Sequence, residues 1–539
     1  MDFNEEFRFG SASWTTRQDV RRSGLYQASG PFLGYFDGRQ LRLNGDGPLT
    51  TFGGAGSGKL RDLIAYNLCG FRDLDGKWQT PARLLVNDPR GELGAISIAN
   101  QIRFGKPAFF INPFGLHGLP QHRVNPWDVI CASSRTFDAD VKLLIADLIP
   151  LARSGSEQYF PRRARDWAEA LVKDHAASQG PITLTDFYKT VNSIEDPSGW
   201  DIIAERMLHS HDDAVRRVAA EMDFKRREAP KEYSGIIGTI YENVGFLSDA
   251  NVRHALSGAD FSLEVLCKQD CNIYVMIPAE YLDLLAPMQR AIFGSAMLYK
   301  NRHPSAPRVL FLIDEAAQLG KFDALMRAYA YGRGMGIQAW SFWQDPGQIA
   351  RNFGRDAVSS FLNSSVSRQF FGVRDYETAL TVSKMLGQET LAFDDPLQQG
   401  GARDARRRAA MGLLEGGDPY VIGAAVEHFR RMSENRMLQA RALMTPEEVL
   451  NMPDSKQVLF VSGLNVKPIF ADKYPYFTRR EMAGAYLPNP YHGSRDRVRI
   501  AARWRKSARV ITERVPAHLA HWPQHQSGEW SYVEGYRPI

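Results

Sequence analysis

The stretch TFGGAGSGKLRD, Thr51 to Asp62, decides how the rest of the chain is read. Gly53, Gly58 and Lys59 stand at the spacing G-x-x-x-x-G-K, and Gly54, Ala55, Gly56 and Ser57 between them are all small. Small residues let successive backbone N–H groups converge on phosphate oxygens, and the helix that follows adds its positive end. Lys59 is placed to reach the β- and γ-phosphates of a nucleotide. Leu60 takes the place where a hydroxyl ordinarily helps to hold Mg²⁺. Mg²⁺ keeps several waters and needs only one or two protein ligands, so a water can stand in for that hydroxyl. Leu60 therefore predicts weaker metal affinity or slower turnover, not an inert site. A degenerate pocket that binds without hydrolysing is the alternative.

Outward from the loop, PLTTF reads as a strand running in and LRDLIAYNLCGF as the helix running out. ARLLVNDPRGEL and PAFFINPFG are apolar runs stopped by Asn/Asp-Pro, as in buried parallel strands. The segment 138–259 changes to helical periodicity, and strands resume with CNIYVMIPA, RVLFLIDEA, GIQAWSFW and SVSRQFFGV. The fold class expected is α/β, a RecA-like P-loop core with a mainly parallel sheet, interrupted by an all-α domain. The divisions expected are a leader at 1–44, nucleotide-binding segments at 45–137 and 260–387, and the helical domain at 138–259. An arginine-rich insertion follows at 388–440, closing strands at 441–475 and a basic extension at 476–539.

Composition bounds the class. With 539 residues, 44% hydrophobic and 24% charged, this is an ordinary globular chain of several domains. The net charge of +5 says little about partners by itself. Four cysteines make no disulfide framework and read as reduced, buried thiols. No apolar run approaches the roughly 18 residues of a membrane-spanning helix. The expected location is cytoplasmic, peripheral at the inner membrane only through partners. The last 64 residues hold eleven Lys/Arg against five Asp/Glu. ARDARRRAA at 402–410 and the cations near Trp504 suit a phosphate backbone, a solvated helix face or an acidic partner.

A second element supplies carboxylates. Val309 to Ile313 form an apolar run that delivers Asp314 and Glu315 at a strand's C-terminal end, where open α/β sheets bind ligands. Asp314 is expected to hold the Mg²⁺ shell through water, and Glu315 to orient and deprotonate the attacking water. Lys59 and this acid pair are expected on neighbouring strand ends. Gln344 closes the next apolar run and is expected to contact the γ-phosphate or its water. Arg333, in a glycine-flanked turn, is a candidate for reaching a neighbouring subunit's γ-phosphate, with Arg327 as its rival.

The order of these motifs resembles the coupling ATPases of type IV secretion and bacterial conjugation, the TraG/TraD-like proteins. The similar segments are the loop ending in Gly58-Lys59, NDPRGEL (Asn87 to Leu93), INPFG, VNPWD, LIDEAAQLG, GRGMGIQ with Gln344, FFGVRDYETALTVSKMLG (Phe370 to Gly387) and LMTPEEVLNMP (Leu443 to Pro453). They run in order over about residues 45 to 475. The resemblance implies a hexameric, homomeric ring using ATP and Mg²⁺. It implies as partners DNA, single-stranded above all, a relaxase or other secreted substrate, and the channel of the secretion system. Several family members carry glycine after the lysine, which makes Leu60 a mild departure. The lack of an N-terminal membrane anchor in this sequence is a larger one. A ring DNA translocase with no secretion role, or a nucleotide-gated receptor, are the alternatives.

Overall fold

A computed structural model describes residues 7–27, 29–72, 78–79, 82–98, 104–151, 158–258, 260–393, 396–415, 418, 420–421, 423–424, 426–428, 437–482, 485–491, 497–500, 506–518, 520–521 and 528–534. Its centre is an eleven-stranded sheet. In chain order the strands are β1 (Phe32–Phe36), β2 (Arg39–Arg42), β3 (Leu49–Gly53), β4 (Arg83–Asp88), β5 (Ala108–Ile111) and β6 (Asn272–Met276). The remainder are β7 (Val309–Ile313), β8 (Ile337–Trp343), β9 (Ser367–Phe371), β10 (Lys456–Val461) and β11 (Ile469–Asp472). Their order across the sheet is β2-β1-β11-β10-β9-β3-β8-β7-β4-β6-β5.

From β9 to β5 every ladder is parallel. Strands β3, β6, β7 and β8 are buried along their whole lengths. That burial on both faces is why they read as unbroken apolar runs. The remaining edge is antiparallel: β10 pairs with β9, and β1 pairs with β11 and β2. Strands β1 and β2 come from the segment read as a leader, so that segment extends the core sheet. Nothing in their short, glycine-interrupted sequence distinguishes an edge strand from a loop.

Between β5 and β6, the described residues 137–255 hold helices, short 3-10 turns and their connections, with no strand. Local signals start these helices. Thr183 and Asp186 exchange side-chain and backbone hydrogen bonds in a capping box. Asp196 caps the next helix ahead of Pro197, whose missing N–H costs nothing at a first helical position.

The described chain divides into two compact units. The larger holds Arg17–Gly372, Asp454–Val466 and Phe470–Ile539, and the smaller Met1–Thr16, Val373–Pro453 and Lys467–Ile469. In the smaller unit, the segment read as an arginine-rich insertion contains a strand pair, Gln388–Phe393 with Met437–Ala442, and a helix, Pro396–Leu414. Arg403, Arg406, Arg407 and Arg408 are exposed on that helix. Trp504 lies outside the described residues. Three of the four cysteines are buried, and Cys131 is exposed, correcting the expectation of four buried thiols. No described helix is long and apolar enough to cross a membrane.

Candidate nucleotide-binding site

The glycine loop leaves the C-terminal end of β3 and turns into the helix at residues 60–68. Gly53 sits where a Cβ would lie 2.9 Å from both the Phe371 ring and Ser57 Oγ. Gly56 and Gly58 have φ of +71° and +86°, a region that side chains other than glycine's rarely enter. The loop is closed by Ser57 N–H on the Gly54 carbonyl at 3.1 Å, and by Asp62 N–H on the Gly58 carbonyl at 2.8 Å. The first helical turn is wide: Ala65 N–H bonds the Leu60 carbonyl, five residues back. Leu60 itself is half-buried. The loop residues thus present backbone, not side chains, in front of a helix N-terminus, an arrangement suited to an anion.

Parallel pairing puts the ends of β3, β8, β7 and β4 on one edge of the sheet. Lys59, 8% exposed, reaches across this edge, and its Nζ donates to Glu315 Oε1 at 2.9 Å. Strands β3 and β7 are not neighbours, however. β8 lies between them and delivers Gln344 into the gap, its Nε2 3.4 Å from Glu315 Oε2. The expectation of neighbouring strand ends is corrected to one intervening strand. Strand order is set by long-range packing that the local pattern does not carry.

Asp314 is 9% exposed. Burial pushes its carboxyl up from 3.8 to about 6, against the pull of Lys59 and with the push of Glu315. Its Oδ1 accepts the Glu315 N–H at 3.1 Å, leaving Oδ2 without a hydrogen-bond partner among the described residues. Glu315 adopts φ 51°, ψ 49°, a left-handed conformation unusual for a glutamate. It turns the chain immediately after β7, so that two successive carboxylates face the loop from one strand end.

Sequence reasoning gave Asn87, Asp88 and Lys473 no role here. Asn87 Nδ2 donates to the Asp314 carbonyl at 2.8 Å, tying β4 to the acid pair. Asp88 accepts Gly94 N–H at 2.8 Å, and burial pushes it from 3.8 to about 7. NDPRGEL contained this signal as a motif without a chemical role. Lys473, 2% exposed, donates to the Ser57 carbonyl at 2.8 Å from just beyond β11. It is a single lysine in an aromatic run, with no spacing that marks it.

Arg333 lies elsewhere. It precedes β8 and pairs with Asp46 at 2.8 Å, at the end of the parallel strands opposite its own Lys59. Arg327 lies 3.8 Å from the buried Asp147.

The family described as Type IV secretory system Conjugative DNA transfer matches residues 8–405 and 426–498. The conjugal transfer protein TraG of Agrobacterium fabrum is 23% identical over 475 residues, 85% of this chain and 66% of that protein. This chain thus spans just under two thirds of that relative's length. The type IV secretion system-coupling protein VirD4 of Bartonella quintana is 24% identical, over 90% of this chain and 75% of that one. Among solved structures, the plasmid coupling protein TrwB in complex with ADP and Mg²⁺ is similar with a TM-score of 0.57. It is 16% identical over 86% of this chain and 95% of that one, a likeness of RecA-like P-loop fold.

Proposed function

The chain belongs to the conjugative DNA transfer family of the type IV secretory system, and from that premise we propose that it is an ATP-hydrolysing coupling motor. It recruits DNA, as a relaxase-bound single strand, or a protein substrate, and drives it toward a secretion channel as a homohexameric ring. In this proposal the N–H groups of Gly53 to Leu60 cradle the phosphates and Lys59 contacts the γ-phosphate. Glu315 accepts a proton from the attacking water, and Gln344 orients that water. Arg333, or Arg327 in its place, acts on a neighbouring subunit's nucleotide.

The donor set fits Mg²⁺: a buried carboxyl, Asp314, with one oxygen unpartnered among the described residues, beside a loop built for phosphate. Bound Mg²⁺ would neutralise charge on the β- and γ-phosphates. Asp314 would hold it through water, which asks nothing of Leu60.

The observation that carries this proposal is the 2.9 Å contact of Lys59 with Glu315, 256 positions away in the chain. A phosphate would draw Lys59 off the carboxylate and leave Glu315 free to act as base. The test is ATP turnover with and without single-stranded DNA, for wild type and Lys59→Ala. The expected result is DNA-stimulated turnover that the alanine variant loses on the order of a hundredfold or more. Equal turnover in the two proteins overturns the proposal. Electron microscopy with nucleotide and DNA reads the ring directly.

A further inference from the structure

We propose that Lys473 is a positioning residue for nucleotide, holding the Ser57 carbonyl so that the Gly58 N–H is aimed at phosphate. This rests on the nucleotide-binding role proposed above and adds a residue from the far end of the chain. The peptide unit is planar and trans, so the Ser57 C=O and the Gly58 N–H point in opposite directions. Whatever fixes the carbonyl fixes the donor. Lys473 Nζ does so at 2.8 Å from behind the loop.

The ammonium is held on several sides. It lies 3.9 Å from the Phe371 ring centroid, 3.6 Å from Asp62 Oδ2, and beneath the loop itself. Asp62 is 2% exposed and in turn pairs with Arg61. Above it Gly58 is wedged, since a Cβ there would stand 2.4 Å from Asp62 Oδ2. Burying a cation beside a loop carbonyl is costly unless the geometry is exact enough to return the cost in hydrogen bonding. With leucine at position 60, no side-chain hydroxyl follows Lys59 to steady the loop from its ligand side. The Lys473–Asp62 floor steadies it from below.

Charge state offers a readout. Burial, opposed chiefly by Asp62 and Asp454 and reinforced by Arg61, pulls Lys473 from 10.5 down to about 8. A bound polyanion favours the charged form. Wild-type nucleotide affinity therefore falls as pH rises through about 8.

The experiment measures binding of a fluorescent ADP analogue with Mg²⁺ to the full chain between pH 7 and 9.5. Wild type is expected to lose affinity about fivefold over this range. Lys473→Met is expected to bind about tenfold more weakly at pH 7 and to show no such slope. Lys473→Arg, charged throughout, keeps most of the pH 7 affinity and loses the slope. With ATP the methionine variant is expected to lose more through a raised KM than through kcat, because a mis-aimed loop N–H weakens phosphate binding first. A methionine variant with wild-type affinity and slope overturns the inference. So does a wild-type affinity that is flat across this range, which needs no variant to fold. Absence of nucleotide binding by wild type removes the motor proposal and this inference with it; binding that Lys473→Met leaves at wild-type affinity and slope removes only the inference.

Discussion

Glu315 stands in a left-handed conformation at φ 51°, where a residue with a Cβ loses roughly 1–2 kcal/mol. Strain of this kind persists where the surroundings dictate it and is common at reacting centres. Here Asp314 receives the Glu315 N–H and Lys59 holds its carboxylate. Replacing Glu315 with Gln keeps the shape and removes the proposed base. Turnover is expected to fall on the order of a hundredfold or more, while Mg²⁺-nucleotide affinity holds or tightens because Lys59 is released from its ion pair. Turnover within tenfold of wild type would assign the proton to another group. The acid pair was legible in the sequence because an apolar run followed by two acids is a local pattern. The approach of Lys59 to this pair was expected from the order of motifs, but the intervening β8 and the left-handed Glu315 were not, since neither is written in the local pattern.

At the scale of elements, the helix Phe137–Leu148 is fastened to the core by its C-terminal carbonyls. Arg290, 4% exposed on the helix Ala286–Arg302, donates to the carbonyls of Asp147 at 2.7 Å and Leu148 at 3.2 Å, and to that of Leu319 at 2.9 Å. Leu319 ends the turn that follows Glu315, so one guanidinium joins the helical segment to the acid-bearing loop. Arg165 adds bonds to the carbonyls of Ala146 at 3.1 Å and Ile149 at 2.6 Å. These cations satisfy a helix end that would otherwise bury bare carbonyls.

The Asp147 side chain is the misfit in this cluster. Burial raises it from 3.8 to about 7, with Asp323 adding to the push, against Arg327, Arg290 and Arg165. A raised carboxyl contributes stability that is fully present below about 3.8 and lost as pH climbs through about 7. Asp147→Asn is therefore expected to raise Tm by a few degrees at pH 8, with an advantage that widens between pH 5 and 8 and then levels off. A gain that does not change with pH, measured by calorimetry, would show that charge burial is not its source. The helix was predictable from its period. Its docking through Arg290 was not, because an arginine in a helix reads equally well as a solvated one.

Across the whole molecule, parallel pairing sorts the candidate residues onto two opposite edges of the large sheet. Lys59, Asp314, Glu315 and Gln344 share one edge, and Arg333 with Asp46 stands at the other. An arginine so placed stands away from Lys59 and the acid pair of its own chain, and in the proposed ring it would be offered to another subunit. Arg333→Ala is expected to leave nucleotide affinity within about twofold and to lower turnover by at least tenfold once the ring has assembled. Its exposed pair with Asp46 is worth at most about 1 kcal/mol, so Tm should hardly move. An assembled Arg333→Ala ring with wild-type turnover would pass the role to Arg327.

The amino-acid sequence by itself determined the phosphate loop, the alternation of strands and helices, and the acids at the end of β7. Each of these is written in contiguous residues through permitted φ/ψ, hydrophobic period and side-chain size. Tertiary structure alone decided that β8 separates β3 from β7, that the first strands close the sheet's far edge, and that Lys473 lies under the glycine loop. Those outcomes sum burial and hydrogen bonding over segments hundreds of residues apart, and no short stretch carries that sum.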